Sequence, residues 1–285
     1  MSKSTENHPH IEEGSFSRHA RSLRHETAQD PASKEYPSLT VKGVEQSRET
    51  VRENFLERIR NAPPGTLMFI GGKSDQERTG ETGQVYGEEL KKYEAQENFI
   101  VLTKKEIDEI ASSRLKAGEE EKEGSDWSAI LRATRAIKEL IRNNPDKKIV
   151  IDYPLTIKQL GYSYNDRWTK GDKKTEYFSQ LLKRHNNDHA ESIADWMQTQ
   201  GELTMPDGRK VKGPLPEDVA KEYLQGLSRL YRFTREQVPD RPIAVHGVGH
   251  QWDLDAVVTY LAKGGVTYED FLDAMGRPEG NPTLC

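Results

Sequence analysis

Apolar positions along this chain follow two spacings. Val44, Val51, Phe55 and Ile59 recur four or seven residues apart, which predicts a helix from Gly43 to Asn61, stopped by Pro63 and Pro64. Ile130, Ala133, Ile137 and Ile141 predict a second helix over 127–144. Between such segments lie short continuous apolar runs: TLMFI at 66–70, FIVL at 99–102, KKIVIDY at 147–153 and RPIAVHGVGH at 241–250. Runs of this length, edged by Pro, Gly and Asn, read as strands buried on both faces. Further helices are predicted after TLMFIGG as far as Leu90, over about 174–200, over 216–237, and across QWDLDAVVTYLA.

Strands alternating with helices over short connections predict an α/β fold. It is expected to have three layers, a mostly parallel sheet with helices on both faces, and its ligand crevice at the C-terminal strand ends. Residues 1–14 read as a disordered lead-in and 15–285 as a single α/β domain. Residues 154–215, where aromatic and charged side chains mix, read as an insertion over the C-terminal strand ends.

Composition narrows the partners. The 42 basic residues are interleaved with 47 acidic ones for a net charge of −5, so no basic face for nucleic acid is expected. No apolar run is long enough to span a bilayer and the first residues carry no signal-like apolar stretch, so neither membrane insertion nor secretion is expected. The single cysteine, Cys285, rules out an internal disulfide framework and a cysteine-rich metal site, and suits a reducing, cytoplasmic setting. Sequence does not set the oligomeric state.

Other chemistries find weak support. His246 and His250 have the spacing of helical zinc ligands, but Gly247 and Gly249 in a β-favouring run argue against a helix there. His185 and His189 read as a solvated helix face. Gly72-Lys73-Ser74 lacks the earlier glycine of a nucleotide-binding loop. The four tryptophans read as packing anchors. No metal and no cofactor is expected.

Three predicted strand ends do carry residues suited to phosphate: Ser17-Arg18-His19-Ala20-Arg21-Ser22 with Arg24 and His25 close behind, Lys73-Ser74 followed by Arg78, and Gly249-His250. A phosphate monoester brings about two negative charges, which the planar fork of arginine matches two oxygens at a time. A neutral imidazole can attack phosphorus and split hydrolysis into two easier steps, with a carboxylic acid protonating the leaving oxygen.

On these residues the chain resembles the histidine phosphatase superfamily, the phosphoglycerate-mutase-like branch. Arg18-His19-Ala20-Arg21-Ser22 is similar to its opening Arg-His-Gly motif, with Ala20 in place of glycine. Leu39-Thr40-x-x-Gly43-x-x-Gln46 fits the signature that follows. Ser74, Arg78 and Thr82 resemble its next element, and Gly249-His250 its closing one. The resemblance implies that His19 is the phosphorylated nucleophile, that Arg18 and Arg78 bind the phosphoryl group, and that His250 assists. Ser22, Arg24, His25 and Ser74 would complete substrate binding, and His25 offers a second register for the nucleophile. For the acid, Glu106 stands first, then Asp108 or Glu109. The implied activity is metal-independent hydrolysis of a phosphorylated small molecule, with mutase-type transfer as an alternative. A catalytically silent member that binds a phosphorylated ligand or a protein is the alternative from another class.

Overall fold

The computed structural model describes residues 11–18, 34–113, 126–152, 158, 160–170, 173–237 and 241–275. In chain order they form β1 (Ile11–Arg18), α1 (Val41–Thr50), a π-helical turn (Val51–Phe55), α2 (Leu56–Asn61), β2 (Leu67–Gly71), α3 (Glu77–Lys91), α4 (Glu94–Glu97) and β3 (Phe99–Leu102). Then come α5 (Lys104–Ser113), α6 (Asp126–Asn143), β4 (Lys148–Ile151), α7 (Tyr164–Trp168), β5 (Thr169–Lys170), β6 (Lys173–Lys174), α8 (Glu176–Arg184), α9 (His189–Thr199), β7 (Glu202–Thr204) and β8 (Lys210–Lys212). The last elements are α10 (Pro216–Gln237), β9 (Ile243–Gly249), α11 (Gln251–Lys263) and α12 (Tyr268–Ala274).

The fold is α/β, as the alternation predicts: helices flank a five-stranded sheet in the order β1-β9-β2-β4-β3. The pairings of β9 with β2, β2 with β4 and β4 with β3 are parallel, in a register that sets Leu67 opposite both Ile149 and Ile243. Every residue of β2 and β9 is buried, which is why these strands read as unbroken apolar runs. Met68, Ile70, Val101, Val150, Ala244 and Val248 join Phe55, Ile59, Tyr86 and Leu90 in one apolar cluster. Each Val, Leu, Ile, Phe or Met among them contributes about 1.5–3 kcal/mol when fully buried.

Two compact units make up the chain. The first comprises Met1–Lys73, Glu77–Thr156 and Arg229–Val248; the second comprises Ser74–Gln76, Ile157–Ser228 and Gly249–Cys285. The second unit takes in residues 157–215 of the stretch read as an insertion, runs on to Ser228, and adds α11 and α12. The strand β1 begins at Ile11, inside the segment read as a lead-in, and residues 1–10 lie outside the described residues.

Local chemistry explains the element ends. Thr40 accepts the Gly43 N–H through Oγ1 at 3.0 Å and so caps α1. Residues 41–61 form one helical run in which the π turn at 51–55 directs both Val51 and Phe55 inward. The single helix expected over 174–200 is instead two. Asn186 and Asn187 adopt left-handed backbone at φ 51° and 64°, and the Asp188 carboxylate accepts the N–H groups of Ala190 and Glu191 to start α9. Trp168, Trp196 and Trp252 pack with Phe178 in the second unit, the anchoring role expected of them. Among the described residues no helix is long and apolar enough to cross a membrane.

Candidate functional site

The first unit presents the strand ends. β2 closes at Gly71, Gly72 turns the chain at φ 63°, and Lys73 follows with its side chain buried. β4 closes at Ile151, and Asp152 comes next, its N–H donating to Leu102 O at 2.8 Å. Because β2 and β4 are parallel neighbours, both residues emerge at the C-terminal edge of the sheet, and the Lys73 ammonium donates to Asp152 Oδ1. Asp152 Oδ2 is buried and has no hydrogen-bond partner among the described residues.

Helix α3 accommodates this pair with glycines. A Cβ on Gly83 would lie 2.3 Å from Lys73 Cε, and one on Gly87 would lie 3.1 Å from Asp152 Cβ. Four residues apart, the two glycines share a helix face and leave the groove the ion pair fills. Sequence reasoning passed over Lys73 and Asp152 as a pair. The available signal was a lysine and an aspartate, each directly after an apolar strand.

Arg78 sits in the first turn of α3 and is 8% exposed. Glu81 accepts the Ser38 N–H at 3.0 Å and Glu77 the Ser38 hydroxyl at 3.0 Å. At 8% exposure Arg78 is not the solvated helix arginine of the plain reading. The Leu39–Gln46 signature proves to be scaffold. Leu39 packs with Tyr36, Val44 and Val85, Thr40 caps the helix, and Gln46 is exposed.

Glu106, the leading candidate for the acid, is committed elsewhere. It accepts from the Thr103 N–H at 2.9 Å and the Thr103 hydroxyl at 3.0 Å, closing a capping box at the start of α5. Lys91 Nζ lies 3.0 Å from its other oxygen. Burial pushes its pKa up, but the Thr103 and Lys91 contacts outweigh that and hold the carboxyl below its usual range. A carboxylate so held is a poor proton donor near neutral pH, so that role is withdrawn from Glu106. Asp108, the next choice, is exposed and bonded to Lys104. His246 lies inside the core, edge-on to Phe55 at 4.4 Å between ring centroids, and burial drives its pKa down to about 3. It is a core histidine within a strand.

The second unit brings together two predicted residues that are 176 positions apart. His250 Nε2 lies 2.8 Å from Ser74 Oγ, and both side chains are buried. His250 occupies the N-cap position of α11 through its backbone, yet its imidazole takes no part in capping and is left to face Ser74. Gly249 allows the approach: a Cβ there would meet the Tyr223 hydroxyl at 3.0 Å and Leu254 Cδ2 at 3.2 Å. The Tyr164 ring lies over the imidazole with centroids 3.8 Å apart. Asp75, next to Ser74, accepts from the Ser163 hydroxyl at 2.6 Å and the Tyr164 N–H at 3.1 Å. Tyr164, Asp75 and Asp253, which accepts from Tyr162 and Trp168, were not anticipated.

His185 and His189 do not share a helix face. His185 ends α8 and faces Asp195 at 2.8 Å, while His189 opens α9 and accepts from the Trp252 indole at 3.3 Å. Arg18 is the last residue of β1, and nothing further of its side chain is described; His19, Ser22, Arg24 and His25 lie outside the described residues. No family model, curated protein or solved structure matches the chain.

Proposed function

We propose that this chain is a phosphomonoester hydrolase of the histidine phosphatase kind, passing the phosphoryl group through His19. The observation that carries the reading is the 2.8 Å contact between His250 Nε2 and Ser74 Oγ. It joins two residues chosen from sequence as members of one phosphate-handling set, although they stand 176 positions apart. Sheet order adds support: β9, which leads into His250, and β2, which leads into Ser74, are parallel neighbours.

In this reading the His19 imidazole attacks phosphorus while Arg18 and Arg78 neutralise the equatorial oxygens, as the planar guanidinium fork suits. The P–O bond to the leaving group breaks, the leaving oxygen takes a proton from solvent water, and water then hydrolyses the phosphohistidine. His250 donates a hydrogen bond to an oxygen of the transferring group. The substrate is a phosphorylated small molecule and the setting cytoplasmic.

Turnover of a chromogenic phosphate monoester in the presence of EDTA tests this directly. Wild type is expected to turn over and His19→Ala to lose at least about a thousandfold. His250→Ala is expected to lose about a hundredfold or more. An acid-labile, base-stable phosphate label should form on wild type and be absent from His19→Ala. Absence of turnover in wild type sinks the reading. Activity lost in His25→Ala but kept in His19→Ala moves the nucleophile to the second register. Phosphoglycerates in the same assay separate hydrolysis from mutase-type transfer.

A further inference from the structure

Residues 162–168 of the second unit are tied down at two carboxylates. Near the start of α7, Asp75 accepts from Ser163 Oγ at 2.6 Å and from the N–H groups of Tyr164 and Asn165 at 3.1 and 3.3 Å. Asp253 holds the remainder: its Oδ1 accepts from the Tyr162 hydroxyl at 2.7 Å and the Trp168 indole N–H at 3.2 Å. Between these anchors the Tyr164 ring rests on the His250 imidazole, tilted by 39°. Asp75 adjoins Ser74 in sequence, and Asp253 lies in the first turn of α11, three residues past His250. The segment that covers the histidine is thus fastened at carboxylates flanking both members of the Ser74–His250 pair.

Asp253 is fully buried, and its Oδ2 has no hydrogen-bond partner among the described residues. A carboxylate kept out of water with one oxygen unused is costly, and a neutral isostere would pack there with less penalty. What a carboxylate offers over that isostere is a stronger hold on two donors at once, reinforced by its place at a helix N-terminus.

We propose that Asp253 is a positioning residue for His250, which by holding Tyr162 and Trp168 seats the Tyr164 ring against the imidazole. The hold is strongest when Asp253 is ionised and relaxes when it is protonated, so the seat of His250 depends on pH near neutrality. The titratable and charged groups facing Asp253 are Tyr162, Arg167 of α7, Tyr223 of α10 and Asp75; of these Arg167 favours the ionised form and Asp75 opposes it. Burial and the neighbouring Asp253 charge push both Tyr162 and Tyr223 well above the usual phenol range, so neither competes as a titrating group near pH 7. This inference rests on the proposed function only in giving His250 work to do; the seat itself is measured without turnover.

The experiment is histidine NMR on the intact chain between pH 5.5 and 8.5. In wild type the carbon-bound protons of His250 should be displaced upfield by the Tyr164 ring, with a step in that displacement near neutral pH. Tyr164→Leu should abolish the displacement. Asp253→Asn should keep the fold by circular dichroism and lose the step, and Trp168→Phe, which removes one donor and keeps an aromatic ring, should reduce it. Retention of the full step in folded Asp253→Asn overturns the proposal. If that variant does not fold, an unchanged step in Trp168→Phe overturns it instead. A wild type that shows the step without phosphatase turnover loses the proposed function and keeps this inference. One that turns over while Asp253→Asn leaves both the step and the pH profile of kcat unchanged does the reverse.

Discussion

Lys73 and Asp152 stand at the C-terminal ends of two neighbouring parallel strands, and each is the other's buried counter-ion. Their side chains are 4% and 0% exposed, so water does little to screen the charges. Removing one partner leaves an uncompensated charge in the first unit, whereas removing both does not. Asp152→Ala is expected to cost about 3–5 kcal/mol in urea unfolding, and Lys73→Met a similar amount. The double variant Lys73→Met/Asp152→Leu should be markedly more stable than the sum of the two losses predicts. Additive losses would show that the pair is not coupled.

Gly83→Ala follows from the same contact with the opposite intuition. In the middle of a helix the change ordinarily stabilises by about 1 kcal/mol. Here the new methyl would lie 2.3 Å from Lys73 Cε, and Lys73 cannot swing aside without leaving Asp152. A net loss of stability is expected, while Gly80→Ala on the same helix, with open space at its Cβ, should show the ordinary gain. Thermal melts of the two variants side by side decide it.

Two buried groups give stability opposite dependences on pH. Burial raises Asp253 from the ordinary 3.8 to about 7 despite its bonds to Tyr162 and Trp168. Between those values the folded chain binds more protons than the unfolded one, so on this account stability falls as pH rises from about 4 to about 7. Burial lowers His246 from 6.5 to about 3, so its contribution is present above 6.5 and lost as pH falls toward 3. Asp253→Asn should therefore gain stability at pH 8 relative to pH 4, by up to roughly 4 kcal/mol at about 1.4 kcal/mol per unit. His246→Phe should resist acid better than wild type. Denaturant midpoints across pH 4–8 test both, and a parallel shift of either variant at all pH values would refute its assignment.

Glu106→Gln separates a capping residue from a proton donor. Losing the charged partner of Lys91 while keeping an acceptor for Thr103 in the capping box should cost no more than about 1 kcal/mol. Phosphatase turnover should stay within about twofold of wild type. A hundredfold loss in a variant that remains folded would return Glu106 to the chemistry.

The central strands were legible because burial on both faces leaves an unbroken apolar run: FIVL at 99–102 is a strand over the same residues, and Ile243–Gly249 lies where RPIAVHGVGH placed it. Capping chemistry was legible in principle at Asn186-Asn187-Asp188, where two left-handed residues and an N-cap break the helix expected over 174–200. The meeting of His250 with Ser74 was anticipated only as membership of one set. Tyr164, Asp75 and Asp253 were not, because contacts such as that between Ser163 and Asp75, 88 positions apart, are made by tertiary packing and leave no periodicity in the chain. The second unit is assembled from three separated stretches, which no single continuous segment of the sequence announces.

Sheet order has a consequence for how the chain is made. β9 lies between β1 and β2, yet it is the last of the five strands to leave the ribosome. Until Ile243–Gly249 emerge, β1 has no neighbour to pair with, while β2, β4 and β3 already have one another. The nascent protein must carry its first strand unpaired through more than two hundred residues of synthesis, then close the sheet by filling its middle.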